Sequence, residues 1–211
     1  MLLDDLPGAI PPAAEIAEPR ELSPMIRRAG LAVSGLLALI GPSDQPLSAQ
    51  EREAAFRIGP IEVLGQEASH VEIGVGVFDV FKDIAFTDDE ENRSAAARLE
   101  LRGGHKIFVL GPAIGVMANT DGGVFGYGAV YIDLVYGNIA ITPLVGFGGY
   151  AEGSSKDLGG IFQFLASGSL AYAFPGGSRL GIRLSHLSSA GIHDDNPGVE
   201  NLMLIYSLPL P

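Results

Sequence analysis

The sequence predicts an all-β fold, an eight-stranded antiparallel up-and-down β-barrel. Its composition is low in charge, with 18% charged residues, and rich in glycine, with 29 residues. From about residue 70 onward, apolar and polar residues alternate with a period of two, which is typical of β-strands. An apolar content of 47% is sufficient for a packed fold and argues against a disordered chain.

Runs of this alternation are separated by turn signals. The predicted strands cover residues 69–79, 95–103, 106–118, 123–136, 138–150, 160–174, 178–190 and 199–209. Glycine, proline and asparagine mark the turns between them, as in Gly137-Asn138. The connections alternate between short and long, and the longer ones cover residues 82–94, 151–158 and 191–198. This alternation suits an up-and-down barrel.

The two faces of each predicted strand differ in polarity. In the strand 160–174, one face carries Phe162 and Phe164, whereas the other carries Gln163 and Ser167. A soluble barrel turns the apolar face inward and a membrane barrel turns it toward lipid, so alternation alone fits both. The polar face is rich in glycine and serine and has charges of both signs, which suits a narrow interior. This composition, with aromatic residues toward the strand ends, favours a barrel that spans a membrane.

Residues 25–49 have the layout of a secretory signal peptide. Arg27 and Arg28 precede an apolar run, and a polar stretch then ends at Ala49. The apolar run of about 12 residues is shorter than the ~20 that a spanning helix needs. We therefore expect export, with cleavage near Ala49; the alternative is a short buried helix in a cytosolic protein.

The remaining boundaries follow from this interpretation. Residues 1–24 are acidic and proline-rich, and we interpret them as a disordered upstream extension from a mis-assigned start, with Met25 as the true first residue. Residues 50–68 form a short lead-in segment, and residues 69–211 form the barrel domain.

Charge and cysteine content exclude several function classes. The net charge is −12 and basic runs are absent, so a nucleic-acid partner is not expected. The absence of cysteine excludes disulfides, thiolate metal sites and cysteine nucleophiles.

A candidate catalytic group lies in the last two predicted strands. His186 and Ser188 are two residues apart and therefore project from the same face of a strand, which is the apolar one. If the hairpin turns near residues 194–195, Glu200 falls opposite Ser188 or Ser189 and diagonal to His186. Neighbouring strands lie about 4.8 Å apart, so the three side chains can meet. They would then be a nucleophile, a general base and a carboxylate that orients the base, although a lone His-x-Ser pair is more often a pair of interfacial polar residues.

Other polar residues have simpler interpretations. We interpret the acidic run 88–91 as a solvated loop. The same holds for the turn with His193, Asp194 and Asp195, where a metal site is the alternative. His70 and His105 are expected at strand ends.

The sequence resembles the lipid A 3-O-deacylases of the PagL type, also known as acyloxyacyl hydrolases. The most specific part of the resemblance is His186-Leu-Ser188-Ser-Ala190-Gly191 followed by Asn196-Pro-Gly198-Val-Glu200. Weaker matches upstream include Phe78-Asp79-Val80-Phe81 and Arg98-Leu-Glu100-Leu-Arg102. The resemblance covers most of residues 66–210.

This resemblance implies a barrel of the bacterial outer membrane that acts as a serine esterase, a carboxylic ester hydrolase. Its substrate would be lipid A of lipopolysaccharide, from which it removes the 3-O-linked hydroxyacyl chain. Ser188 would be the nucleophile, His186 the general base and Glu200 its orienting acid. Ser189, Ala190 and Gly191 would surround the oxyanion, without a metal or a cofactor. The barrel would be surrounded by outer-membrane lipid, and a homodimer is a further possibility.

One departure from the family pattern concerns the oxyanion. The residue after the nucleophile is usually Asn in this family, whereas here it is Ser189. This departure supports one alternative, a catalytically inactive structural barrel of the outer membrane. A second alternative follows from the alternation of the faces, which also fits a soluble periplasmic lipocalin-like barrel. The latter would bind an apolar ligand inside, with His186, Ser188 and Glu200 lining the cavity.

Overall fold

The computed structural model describes residues 53–81, 93–193 and 195–210. These residues form the strands β1 (Glu53–Ile58), β2 (Ile61–Gln66), β3 (His70–Phe78), β4 (Ser94–Arg102), β5 (Gly111–Asn119), β6 (Val124–Tyr131), β7 (Leu134–Tyr136), β8 (Ile139–Ala151), β9 (Phe162–Ala173), β10 (Arg179–Ser188) and β11 (Val199–Pro209). The upstream extension, the signal peptide and its cleavage site lie outside the described residues, as does the acidic run 88–91.

The predicted eight-stranded antiparallel barrel is confirmed. Its strands follow the order β3-β4-β5-β6-β8-β9-β10-β11, and β11 pairs with β3 to close the ring. Each barrel strand pairs with its antiparallel neighbours, so the wall has no free edge. The last predicted strand, 199–209, has the observed bounds of β11.

Two predicted strands differ from the structure. The predicted strand 123–136 is split into β6 and β7, although both keep one register against β8. Ile132 N–H donates to Pro143 O, but proline has no N–H to return the bond, so the ladder is interrupted there. The predicted strand 106–118 begins only at Gly111, because Ile107 and Leu110 close a tight turn with Phe108 at a φ of 60°.

Part of the lead-in segment is also folded. β1 and β2 form a hairpin across Gly59 and Pro60, with a φ of 58° at Gly59. A positive φ at the first central residue is what a type II′ turn requires. β2 then pairs with β7, and so the hairpin extends the barrel wall at the end where the 137–138 turn joins β7 to β8.

The barrel interior is polar and its outer surface is apolar. Arg183, Glu100 and Glu72 are fully buried inside, whereas Val75 and Leu204 on the outer wall are more than half exposed. Arg183 contacts both Glu72, at 3.1 Å, and Glu100, at 3.3 Å. This arrangement is that of a barrel with lipid outside, and it contradicts the lipocalin-like alternative, which needs the apolar face inside.

The two ends of the barrel differ in their connections. One end, called the loop end here, carries the connections 79–93, 120–123, 152–161 and 189–198. The other, the turn end, carries the connections 103–110, 137–138 and 174–178 and the start of β3. No helix in the described ranges is long and apolar enough to cross a bilayer.

Candidate active site

His186 and Glu200 form a direct pair on neighbouring strands. His186 of β10 lies opposite Glu200 of β11, and its Nδ1 is 2.9 Å from Glu200 Oε1. The expectation that Glu200 lies opposite Ser188 or Ser189 is therefore wrong. The last pair before the connection is Leu187 with Val199, so the connection is centred on residue 193, one to two residues earlier than expected, and the partner of Glu200 shifts from Ser188 or Ser189 to His186.

This pair lies on the outer wall. The His186 and Glu200 side chains are 47% and 36% exposed, and they share the apolar face with Leu184 and Leu202, which are also exposed. The prediction that the pair continues this apolar stripe is confirmed. A histidine and a carboxylate on a surface that is otherwise apolar favour a functional role over a structural one.

Ser188 ends β10 beside this pair. It follows His186 on the same face, is half-buried, and lies opposite Phe164 of β9. Because Glu200 holds Nδ1 of His186, Nε2 is the nitrogen left to accept a proton from Ser188. Within the described residues, the Ser188 hydroxyl makes no hydrogen bond to His186; catalytic hydrogen bonds often form only once a substrate is bound.

Gly198 leaves room for the imidazole. A Cβ at this position would lie 3.0 Å from His186 Cε1 and 3.7 Å from Nε2, and the residue has a φ of 63°. Both the close approach and the positive φ favour glycine. Gly198 therefore lets the loop return to β11 across the edge of the imidazole that carries Nε2.

The backbone turns sharply after Ser188. Ala190 and Gly191 both have positive φ, 52° and 78°, and both are exposed. Within the described residues neither N–H has a hydrogen-bond partner. Turns that leave successive N–H groups free can bind an anion, so these two donors are suited to hold an oxyanion.

Ser189 has a different environment from the other two expected oxyanion residues. Its N–H donates to Asn196 Oδ1 at 2.8 Å, and its side chain is fully buried with no partner for Oγ. The structure thus places Ser189 within the site but occupies its backbone donor. Asn196 was not singled out as a site residue, although its place in Asn-Pro-Gly, where asparagine often accepts a backbone N–H, was a usable signal.

The comparisons with known proteins identify a family and a fold. The sequence pattern of the family described as "Lipid A 3-O-deacylase (PagL)" matches residues 83–209. The chain belongs to this family. It is also similar to lipid A deacylase PagL of Bordetella bronchiseptica, with 37% identity over 54 residues, which is 26% of this chain and 30% of that relative.

A solved structure of the family shares the fold. The crystal structure of the outer membrane enzyme PagL superposes with a TM-score of 0.51 at 18% identity, over 67% of this chain and 99% of that one. At this identity the likeness supports the barrel and not the residue roles. The PagL family match begins at residue 83, downstream of the β1–β2 hairpin.

Aromatic side chains flank Ser188 on the outer wall. Phe162 packs edge-to-face on Phe164 with ring centroids 5.2 Å apart, and stacks on Phe147 at 5.9 Å. All three are exposed. They give the loop end an apolar surface immediately beside the serine.

The remaining histidines lie away from this group. The His193 ring packs over Gly160, where a Cβ would be 2.5 Å from Nε2, so the 189–198 connection is braced against the 152–161 connection. His70 begins β3 and is buried, and His105 lies in the turn after β4. No group of three or more His, Cys, Asp or Glu in the described ranges could hold a metal ion.

Proposed function

We propose that this PagL-family chain is an outer-membrane serine esterase that removes the 3-O-linked hydroxyacyl chain from lipid A. The observation that carries the proposal is the 2.9 Å contact of His186 Nδ1 with Glu200 on the outer wall, beside Ser188. A nucleophile, a base and a carboxylate in this order are the parts of an acyl-transfer site.

The first half of the reaction forms an acyl-enzyme. His186 Nε2 takes the proton of Ser188 Oγ while Oγ attacks the ester carbonyl carbon. Glu200 holds the proton on Nδ1 and stabilises the imidazolium that forms. When the tetrahedral intermediate collapses, the C–O bond to the sugar breaks and His186 returns the proton to the sugar oxygen.

The second half releases the fatty acid. His186 takes a proton from water, the hydroxide attacks the acyl carbon, and Ser188 leaves with the proton that His186 returns. The N–H groups of Ala190 and Gly191 would stabilise the negative oxygen in both halves. Such donors are each worth about 10²–10³ in rate.

The position of the site suits a lipid substrate. The triad opens sideways from the wall, so an ester can reach Ser188 from within the membrane without entering the barrel. In outer-membrane barrels the longer loops are extracellular, so the loop end, and with it the triad, would lie in the outer leaflet. One relative is named as a lipid A deacylase and the solved one as an outer membrane enzyme, and both names fit this placement.

The aromatic cluster beside Ser188 would position the acyl chain. Phe164 lies directly across from Ser188 on β9, and its ring is exposed on the side where the substrate would arrive. Van der Waals packing of the acyl chain against Phe164 and Phe162 would hold the ester carbonyl near Ser188 Oγ.

Mass spectrometry of lipid A tests this function. Cells that produce the protein should lose one 3-O-linked hydroxyacyl chain per lipid A, whereas cells that produce Ser188→Ala should not. Ser207→Ala is the matched control, because Ser207 lies on the interior face of β11 and its Oγ has no partner. Persistence of the mass loss in Ser188→Ala would refute the nucleophile, and unchanged lipid A in every host would favour the inactive structural barrel.

Delivery to the membrane is a separate part of the proposal. Residues 25–49 would act as the export signal, with cleavage near Ala49. Amino-terminal sequencing of the membrane-inserted protein should start close to residue 50; a start within residues 1–24 would contradict the cleavage.

A further inference from the structure

The turn end of the barrel carries an exposed apolar surface that the proposed reaction does not use. We define the rim patch as the exposed side chains of the β1–β2 hairpin and of the neighbouring 107–110 turn: Phe56, Ile58, Ile61, Ile107, Phe108 and Leu110. Ile107 is 86% and Phe108 69% exposed. The two parts are joined because the rings of Phe56 and Phe108 stack at 5.7 Å.

The strand register shows which way the hairpin part of the patch faces. Phe56 lies opposite Val63, Val63 opposite Leu134, and Leu134 opposite Ile141. Paired residues on neighbouring strands point to the same side of a sheet. Ile141 is an exposed residue of the outer wall, whereas Val63 is buried. The exposed Phe56, Ile58 and Ile61 therefore lie on the same side of the sheet as the apolar belt, which is the set of exposed apolar side chains on the outer wall.

The opposite face of the hairpin is polar near the turn and apolar farther along β2, where Leu64 is buried with Val135 and Ala140. Arg57 and Glu62 lie opposite each other and form an exposed ion pair at 2.6 Å. Near its turn the hairpin is thus a two-stranded ribbon. Its apolar face lies on the same side of the sheet as the exposed outer wall, and its charged face lies on the opposite side. Such a ribbon suits a boundary between lipid and water.

The backbone limits how deep this ribbon can lie. Among the described strands β1 is the last of the sheet, so its outer edge has N–H and C=O groups without a partner in the described ranges, and the hydrocarbon core does not tolerate such groups. The headgroup region supplies hydrogen-bonding partners for that edge. In addition, Phe108 is held at a φ of 60°, an uncommon and strained conformation for an aromatic residue, and this conformation keeps its ring at the exposed tip of the turn.

We propose that the rim patch docks onto a phospholipid surface, at the headgroup–acyl boundary of the leaflet nearest the turn end. The continuity with the outer wall favours lipid over a second copy of the chain. The contact would fix the height and tilt of the barrel and so keep the triad at a constant level in the opposite leaflet. This inference rests on the proposed membrane location, but not on catalysis.

Single-tryptophan variants test the docking, because the chain has no tryptophan of its own. Phe108→Trp and Phe56→Trp report on the rim patch, and Arg57→Trp reports on the opposite face of the same hairpin. Leu204→Trp, on an exposed position of β11, reports on the barrel belt. The full chain is refolded into phosphatidylcholine vesicles with or without brominated acyl chains, and quenching by bromine is compared with quenching by acrylamide.

We expect the tryptophans at 108 and 56 to lose most of their fluorescence to bromines placed near the headgroups, and less to bromines near the chain ends. Arg57→Trp should instead be quenched by acrylamide. If the rim tryptophans are quenched by acrylamide like Arg57→Trp, the patch is in water and the docking is wrong. If they are shielded from both quenchers, the patch is covered by protein and the lipid assignment is wrong.

Leu204→Trp separates this failure from a failure of the membrane location. Bromine quenching at position 204 without quenching at 108 would overturn the docking alone. An absence of bromine quenching at both positions would overturn the membrane placement of the barrel itself.

Discussion

The interior and the outer wall of the barrel both hold ionisable side chains, in opposite settings. Inside, Glu100 contacts Arg98, Arg102 and Arg183, and all four side chains are buried. Outside, His186 and Glu200 have only each other and are partly exposed. The interior charges fill and hold a narrow barrel, whereas the outer pair lies on the surface and fills no interior space. The function proposed above gives a reason for the outer pair.

The largest effect should come from removing the base on the outer wall. His186→Ala should lower kcat on lipid A by about 10⁴-fold or more, as the loss of a triad member does, while thermal stability changes little because the side chain is exposed. Turnover of purified lipid A and a melting curve measure the two quantities. If the melting temperature falls strongly together with kcat, the loss of activity reflects unfolding, and His186 has a structural role like that of the interior charges.

Glu200→Gln tests whether the carboxylate acts only through the imidazole. We expect a loss of about 10⁴-fold or somewhat less in kcat, because the amide can hold His186 but cannot stabilise its positive charge. KM should stay near its original value, since Glu200 does not touch the acyl chain in this account. Unchanged kcat would remove Glu200 from the triad.

The interior charges should show the reverse behaviour. Glu100→Gln leaves the buried guanidinium groups around it without their carboxylate, and such a change destabilises proteins by about 3–5 kcal/mol. Urea unfolding of the refolded barrel measures it, and the activity of the folded fraction should be retained. Glu62→Gln is the control: its partner Arg57 is exposed, so the change should stay below about 1 kcal/mol. Equal effects of the two variants would contradict the structural role of the interior network.

The turn that carries the oxyanion donors gives a smaller effect. Asn196→Ala removes the acceptor that holds Ser189 N–H, and the added freedom of Ala190 and Gly191 should lower kcat by about 10- to 100-fold. Asn138→Ala, at an exposed turn on the other end of the barrel, should have no effect on kcat. A change in KM alone would indicate that the turn binds substrate rather than the transition state.

The smallest effect is expected at the aromatic cluster. Phe164→Ala should raise KM for lipid A by about 10-fold, which corresponds to about 1.4 kcal/mol of lost van der Waals contact with the acyl chain, with little change in kcat. Phe174→Ala is matched to it, because Phe174 packs edge-to-face on Tyr172 at 5.1 Å much as Phe164 packs on Phe162, but at the turn end. Equal KM values for the two variants would show that the acyl chain does not lie on Phe164.

The barrel and the faces of its strands were predictable because a period of two is a local signal. Alternation identified the strands and placed His186 on the same face as Leu184. The pairing of His186 with Glu200 was not predictable to the residue, because the register of a hairpin depends on the conformation of its connection. A shift of the turn centre by one to two residues separates the expected register from the observed one.

The β1–β2 hairpin has a local sequence pattern, but its position in the sheet could not be predicted from that pattern. Phe56, Ile58, Ile61 and Val63 alternate with Arg57 and Glu62 around Gly59-Pro60, which is a recognisable hairpin pattern. Its strands are brief, and it is held by a pairing with β7 that no local pattern encodes. The hydrogen bond from Ser189 N–H to Asn196 was not predictable from a local pattern either, because it depends on the left-handed conformations of Ala190 and Gly191 between the two residues.

The central claim is that Ser188 is the nucleophile of a triad on the outer wall. Treating the vesicle-inserted protein with a fluorophosphonate, followed by peptide mass spectrometry, tests it most directly. A covalent adduct should form on the peptide that contains Ser188, in parallel with the loss of lipid A deacylation, and should be absent in His186→Ala but present in Ser207→Ala. Loss of deacylation with the adduct on another residue, or full deacylation by Ser188→Ala, would contradict the account.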